Sequence, residues 1–485
     1  MRLLIVFGVV GQLLRLFSLA FVLPLLIAAV ELDWTIAGHF AIALTSTLAF
    51  GFLFSTGFRP PKVFYRAEAL SVVALTWLFI SMFGAIPYVF AGLSFVDGLF
   101  EAMSGFTTTG ATVLTDFSKY GKAFYLWRSM TQWFGGLGVI ALFVIVLPRL
   151  GIAGRQMLFA EASTAPGEAV SPQVRSASSK LWLLYSGMTA VLITLLIIAG
   201  MTLYEAVCHA FTTMAAGGFS PHPESVGGYK NPAVEWILIV FMLLAGTSFP
   251  LIWTVLTRRP LEFFRDGEFL LYSGVCIGGG LLVSVVWSGG IPTLEQVRHG
   301  LFQASSLISS TGYASTDYNL WNDGARVILV FIMVVGGCAG SAAGGPKSVR
   351  HLLVTKHIYR EITKTLHPKA VIAIKYKGQP VRDDVMNAVF NTVALYIGSY
   401  FVIGVIMSAL TRDMILGFSA ALACVGNIGP GFGAAGPMGN FAGFSDFGKI
   451  VLTFGMWIGR LEIVTVLALL HPDVLRSVRL SSFRR

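Results

Sequence analysis

Ten long apolar segments set the pattern of this chain, near residues 3–30, 35–57, 68–92, 124–148, 180–203, 233–257, 268–288, 326–355, 386–410 and 449–471. A bilayer core of ~30 Å takes roughly 20 helical residues to cross, so each segment reads as a membrane span. The first is too long for a signal-peptide core and has no clear cleavage site, so it counts as a span as well. An even number of spans places both termini on one side.

The segments that follow spans three, five, seven and nine run about thirty residues each. They are too apolar to be solvated loops and too short to cross. Each opens with about a dozen helix-compatible residues, which reach ~18 Å at 1.5 Å per residue, half a bilayer. Each ends in small residues and glycine: Thr107-Thr108-Thr109-Gly110, Ala215-Ala216-Gly217-Gly218, Ser309-Ser310-Thr311-Gly312 and Gly426-Asn427-Ile428-Gly429. Residues 98–110 (GLFEAMSGFTTTG) and 300–312 (GLFQASSLISSTG) share seven of thirteen positions, the mark of an internal repeat. The predicted fold class is an all-α polytopic membrane protein. Two leading spans precede four pseudo-fourfold repeats of helix, pore half-helix, filter turn and helix around one central ion pore.

Non-helical backbone at membrane depth survives only inside protein or along a water-filled path. Glycine lets carbonyls approach an axis that side chains would block, and a ring of carbonyls can replace a cation's hydration shell. Half-helix C-termini pointing to the same centre favour a cation over an anion. The other reading of these glycines is close helix packing or tight turns alone.

Composition narrows the class. The 485 residues are 55% hydrophobic and 12% charged, with mean hydropathy +0.76, whereas soluble domains are about a quarter charged. This excludes a soluble enzyme, a disordered chain and a secreted disulfide scaffold. Lys and Arg number 34 against 24 Asp and Glu, a net +10 that in a soluble protein would suggest nucleic acid. Sorted by span, 23 basic residues fall on the side of the termini and eight on the other. That bias makes the termini cytoplasmic and no nucleic-acid partner is needed. Arg15, Lys347 and Arg460 fall inside spans. Cys208, Cys276, Cys338 and Cys424 are scattered, as buried small residues are. Glu101, Glu205 and Glu295 are expected at half-helix starts, where carboxylates suit the dipole, and His209 in an ordinary polar contact.

TTTGAT at 107–112, AGGFS at 216–220, STGY at 310–313 and GNIGPG at 426–431 resemble the Trk/Ktr/HKT potassium-transporter superfamily, most closely its bacterial TrkH branch. The resemblance covers residues 68–475, and the two extra leading spans match that branch. It implies a potassium filter at Thr108, Thr109, Gly110, Ala216, Gly217, Gly218, Ser310, Thr311, Gly312, Asn427, Ile428 and Gly429. In plant members a serine at the first-loop position accompanies sodium transport, so Gly110 points to potassium. The resemblance also implies a homodimer in the bacterial inner membrane, bound to a cytoplasmic TrkA-type nucleotide-binding ring. Potassium is the transported ion, and no organic cofactor is expected in this chain. The corresponding division is a two-span unit (1–66), repeat 1 (67–150), repeat 2 (175–260), repeat 3 (265–366), a cytoplasmic connection (367–384), repeat 4 (385–477) and a tail (478–485).

Span eight is interrupted by Gly336-Gly337-Cys338-Ala339-Gly340-Ser341-Ala342-Ala343-Gly344-Gly345-Pro346-Lys347. At ~1 kcal/mol per glycine and ~3 for proline, a continuous helix there is costly. Two readings stand: an intramembrane gating loop over 336–348, or a GxxxGxxxG packing stripe of Gly336, Gly340 and Gly344. The family carries such a loop here, with Gly345 and Lys347 among its gate candidates. Arg460, which shares the tenth span with Glu462, is either a positive charge below the filter that slows cation passage or a structural ion pair with a neighbouring helix or carbonyl cluster. The resemblance of Gly459-Arg460 to the family's segment favours the pore role. An alternating-access secondary transporter would show inverted pairs of broken helices. An intramembrane enzyme would show a cluster of catalytic side chains at depth, and none is seen.

Overall fold

The computed structural model describes residues 2–56, 65–141, 172–461, 463–469 and 471–472. Glu462, the basic residues Arg59, Lys62, Arg149, Arg155, Arg476, Arg479, Arg484 and Arg485, and the tail 478–485 lie outside them. Among the described residues, six helices are individually long and apolar enough to cross a membrane, and a seventh span counts if one sharply bent pair is taken together. The described parts of the remaining segments are helical too, with breaks in the eighth and tenth, and residues 142–148 of the fourth lie outside the described residues.

The leading pair, Leu3–Val30 and Trp34–Ser55, turns over at Asp33, whose side chain accepts from the Ile36 N–H and starts the second helix. The two helices cross where Gly11 meets Gly51. A Cβ on Gly51 would lie 2.9 Å from the Arg15 nitrogen and 3.0 Å from the Gly11 carbonyl oxygen. Such close approach is how helices pack without water to drive them together. Arg15 stacks its guanidinium 4.1 Å from the centre of the Phe52 ring.

Four copies of one pattern follow. A long helix (Ala67–Phe90, Pro172–Ile198, Gly267–Ser288, Asp383–Thr411) leads to a short one (Phe95–Phe106, Leu203–Met214, Leu294–Ile308, Met414–Val425). The short helices have 12, 12, 15 and 12 residues, about half a bilayer. Each starts on a side-chain cap: Ser94, Thr202, Thr293 and Asp413 accept from the third backbone N–H after them. A returning helix completes each copy, beginning at Lys122, Pro232, Asp323 and Asp446. Leaving and returning on the same side, the copies run parallel, as the repeat in the sequence predicts.

Three returning helices depart from straight spans, the eighth by breaking into a loop at residues 336–347. The sixth apolar segment bends by 103° between Pro232–Ala245 and Phe249–Thr257. Gly246, Ser248 and Pro250 remove helix support there, and the freed Gly246 carbonyl accepts from the Cys338 N–H at 2.8 Å. The tenth ends its first helix at Arg460 and resumes at Ile463.

The Gly11–Gly51 crossing yields a stability test. Gly51→Ala should lower the thermal midpoint of the purified protein in detergent, by overpacking worth about 1–3 kcal/mol. Gly38→Ala in the same helix meets nothing within 4 Å and should raise it slightly through helix propensity. Equal shifts for the two would contradict the crossing.

Candidate functional site

Each short helix ends in the same turn. The residue after the cap is left-handed although none is glycine: Thr108, Ala216, Ser310 and Asn427 have φ of 51°, 55°, 55° and 51°. Their N–H groups bond three residues back, to the carbonyls of Gly105, Thr213, Leu307 and Cys424, at 2.9–3.2 Å. The next N–H groups, of Thr109, Gly217, Thr311 and Ile428, bond five residues back to Ser104, Thr212, Ser306 and Ala423, at 2.8–2.9 Å. This double closure is the Schellman motif. The left-handed side chains have work of their own. The Asn427 amide donates to Thr109 Oγ1 and to the Met456 carbonyl at 3.0 and 2.9 Å. The Ser310 hydroxyl accepts the Gly344 N–H.

One step on stands a positive-φ glycine in every copy: Gly110 (86°), Gly218 (75°), Gly312 (82°) and Gly429 (100°). A Cβ on Gly110 would strike the Gly217 carbonyl oxygen; on Gly218, that of Thr311; on Gly312, that of Ile428; on Gly429, that of Thr109. The contacts run from copy one to two, three, four and back to one. All twelve residues singled out in the four turns therefore belong to one closed ring. All four glycines line a cavity of about 70 Å³ on the side of the returning segments, together with Arg128, Phe219, His222 and Phe441.

Polar side chains hold the ring from behind. Nine residues before each glycine stand Glu101, His209, Gln303 and Ala420. Glu101 accepts from the Val113 N–H (3.0 Å), the Thr112 hydroxyl (3.1 Å) and Arg128 Nε (2.7 Å). Arg128 also donates to the Ser220 carbonyl at 3.2 Å and covers the Phe219 ring at 4.0 Å, joining turns one and two. His209 pairs Nε2 with the Ser220 hydroxyl at 3.2 Å, an ordinary polar contact as expected. Gln303 reaches the Thr316 carbonyl at 3.4 Å. The expectation for Glu101 needs correcting. Its helix starts at Phe95 with Asp97 in the first turn, so Glu101 is a buried brace rather than a carboxylate at the helix start. Glu205 and Glu295 do sit in first turns. Gln132, which the sequence reading passed over, donates to the Gly217 carbonyl at 2.6 Å and accepts from the Phe219 N–H at 3.0 Å.

Residues 336–347 form an extended loop between helices Asp323–Val335 and Ser348–Leu366. With no helix there, the Gly336, Gly340, Gly344 packing stripe does not form. The loop lies against turns three and four. A Cβ on Gly344 would lie 2.8 Å from Asn427 Cβ. Its backbone is bonded at the bend of span six, where Ala342 N–H donates to the Ala245 carbonyl (3.2 Å) and Phe249 N–H to the Gly340 carbonyl (3.1 Å). Arg460 Nη1 donates to the Ala342 carbonyl at 2.9 Å, and Lys347 Nζ to that of Ala343. Buried Glu268 accepts the Ala339 N–H with one oxygen and, with the other, the hydroxyl of Tyr376 at 3.1 Å. Tyr376 belongs to the small hairpin Lys375–Pro380. Gly345 is also left-handed, at φ 75°. Among the described residues no three His, Cys, Asp or Glu side chains cluster as a metal site would.

The TrkH family model, a cation transport protein, matches residues 36–269 and 285–474. The chain is 33% identical to the Trk system potassium uptake protein TrkH of Halomonas elongata, over 97% of this chain and 99% of that protein. It is 34% identical to the Trk system potassium uptake protein TrkG of Escherichia coli, over 84% and 86% respectively. The crystal structure of the potassium transporter TrkH from Vibrio parahaemolyticus superposes with a TM-score of 0.89 at 31% identity, covering 98% of this chain and 100% of that one. With its four glycine turns in one ring and likeness over nearly the whole length, the chain belongs to the TrkH family of cation transport proteins.

Proposed function

We propose that this protein takes up potassium across the bacterial inner membrane through the ring of four glycine turns. The observation that carries the reading is the closed cycle of contacts in which each glycine abuts a carbonyl of the next turn. Twelve residues form the filter: Thr108 to Gly110, Ala216 to Gly218, Ser310 to Gly312 and Asn427 to Gly429. The C-terminal ends of four short helices meet there, and their partial negative charge favours a cation. Carbonyls without intervening side chains take the place of the ion's water. The relatives' names specify potassium uptake, and Gly110 agrees.

The loop 336–347 is the gate. It lies directly against two of the four turns, and Gly336, Gly340, Gly344 and Gly345 give it a backbone that can rearrange. Arg460 and Lys347 hold the loop through its carbonyls and place positive charge below the ring. The termini are cytoplasmic, and the loop answers to a cytoplasmic TrkA-type nucleotide-binding ring on a homodimer of this chain. An alternating-access transporter would be built of inverted repeats, whereas these four copies are parallel.

Three measurements in proteoliposomes test this. Gly110→Ser puts a side chain against the Gly217 carbonyl at a left-handed backbone. It should lower the potassium-to-sodium flux ratio about tenfold, equivalent to ~1.4 kcal/mol; an unchanged ratio would refute the filter. Deleting Ala339–Ala342 should raise potassium flux without changing that ratio, and wild-type flux from a folded deletion would sink the gate. Arg460→Ala removes a charge and a loop tie, so potassium flux should rise severalfold. A rate equal to the wild type would remove Arg460 from the gate.

A further inference from the structure

Beneath the loop is a second, smaller cavity of about 30 Å³, room for one or two water-sized particles. Three elements line it: Ala343–Lys347 of the loop with Arg350 just beyond, Thr392 and Tyr396 of the helix Asp383–Thr411, and Gly459, Arg460 and Ile463 of span ten. Arg460 and Tyr396 are 5% and 7% exposed. Arg460 spends one nitrogen on the Ala342 carbonyl. Its Nε and Nη2, and the Tyr396 hydroxyl, have no hydrogen-bond partner in the protein. A buried guanidinium keeps its proton, so it cannot escape the cost of burial by becoming neutral.

The surroundings are cationic. Lys347 and Arg350 donate to the Ala343 and Pro346 carbonyls, within the same stretch of backbone. The helix Ser348–Leu366 begins here, its first N–H groups at the positive end of the dipole. Among the described lining residues none is a carboxylate. Glu462 lies outside the described residues.

We infer that this cavity is a binding site for a small monovalent anion, with chloride as its simplest occupant, held by Arg460 and the Tyr396 hydroxyl. The unpartnered Arg460 Nε and Nη2 and the Tyr396 hydroxyl call for an acceptor rather than a cation, and the small volume suits a monatomic ion. The site exists only while the loop lies where it does, because the loop forms one wall and Arg460 is tied to it. An anion bound there therefore stabilises this loop position over any in which the loop has moved. Resting on the gate reading above, the anion is a brake on cation flux.

Two variants and three readouts test it. Crystals of the full chain soaked in sodium bromide should give an anomalous peak within hydrogen-bond distance of Arg460 and Tyr396. The thermal midpoint of the purified protein should rise saturably when sodium chloride replaces sodium gluconate at equal ionic strength. Tyr396→Phe, which deletes one donor and keeps the ring, should weaken that rise. Potassium flux should be severalfold slower in chloride than in gluconate, and the difference should vanish when Ala339–Ala342 is deleted. Water alone in the cavity of bromide-soaked crystals, or equal midpoints in the two salts, would overturn the site. A bromide peak with flux indifferent to the anion would uphold the site and overturn the brake. If the loop deletion leaves flux unchanged, the gate reading fails while the bromide and midpoint results still decide the site.

Discussion

Ending a helix halfway through a membrane exposes backbone groups that lipid cannot satisfy, and the rest of this structure is arranged around that constraint. The last carbonyls of any helix lack intrahelical partners, and at membrane depth each unsatisfied group costs several kcal/mol. Here all four short helices use the same double hydrogen bond back into the last turn. That closure requires one left-handed residue, and a second left-handed position, glycine in every copy, follows two residues later. The glycines then permit the carbonyl of the neighbouring turn to lie against them. One backbone problem, solved identically four times, produces the ring.

The ring is regular in backbone and irregular in its supports. Position nine before the glycine is a carboxylate, an imidazole, an amide and a methyl group in the four copies. Turns one and two are joined by an ion pair, with Arg128 reaching from Glu101 to the Ser220 carbonyl. Turns three and four contact the loop, through the Ser310 hydroxyl and the close approach of Gly344 to Asn427. One half of the ring is thus braced by fixed charge. The other half abuts the segment with the most glycine, which is where movement is cheapest. A buried ion pair is costly to break, so it suits the half that has no loop to accommodate.

These supports explain what the sequence revealed and what it hid. The turns were legible because small residues and glycine recurred after a dozen helical positions, a pattern tied to local backbone geometry. The broken span eight was legible for the same reason. The bend in span six was not, because Gly246, Ser248 and Pro250 sit inside a long apolar segment, and the partner that satisfies the freed Gly246 carbonyl, the Cys338 N–H, lies ninety residues away. Charge was the least legible. Arg128, Arg298 and Lys449 count by sequence as outward-side residues, yet they are mostly buried and paired with Glu101, Glu235 and Asp97 at 2.7, 2.7 and 2.6 Å. An orientation bias averages over many residues and says nothing about which have a partner. Glu101, Glu235 and Asp97 were the available signal, since acidic residues at these depths need a cation nearby.

The charges that remain below the ring follow a different logic. Four helix ends gather partial negative charge at the glycines, so positive charge beneath them is attracted to the place where a cation would sit. Arg460 cannot approach the ring freely, because Nη1 is held by the Ala342 carbonyl and its backbone ends a helix. Lys347, bound to the next carbonyl, is restrained in the same way. Both cations are therefore attached to the loop rather than to the ring. In the gate proposed above, a displacement of the loop would change the field at the ring, and a cation at the ring would change the force on the loop. Coupling between occupancy and loop position then needs no long chain of contacts. On that reading it would follow from Coulomb's law acting between the ring and charges tied to the loop.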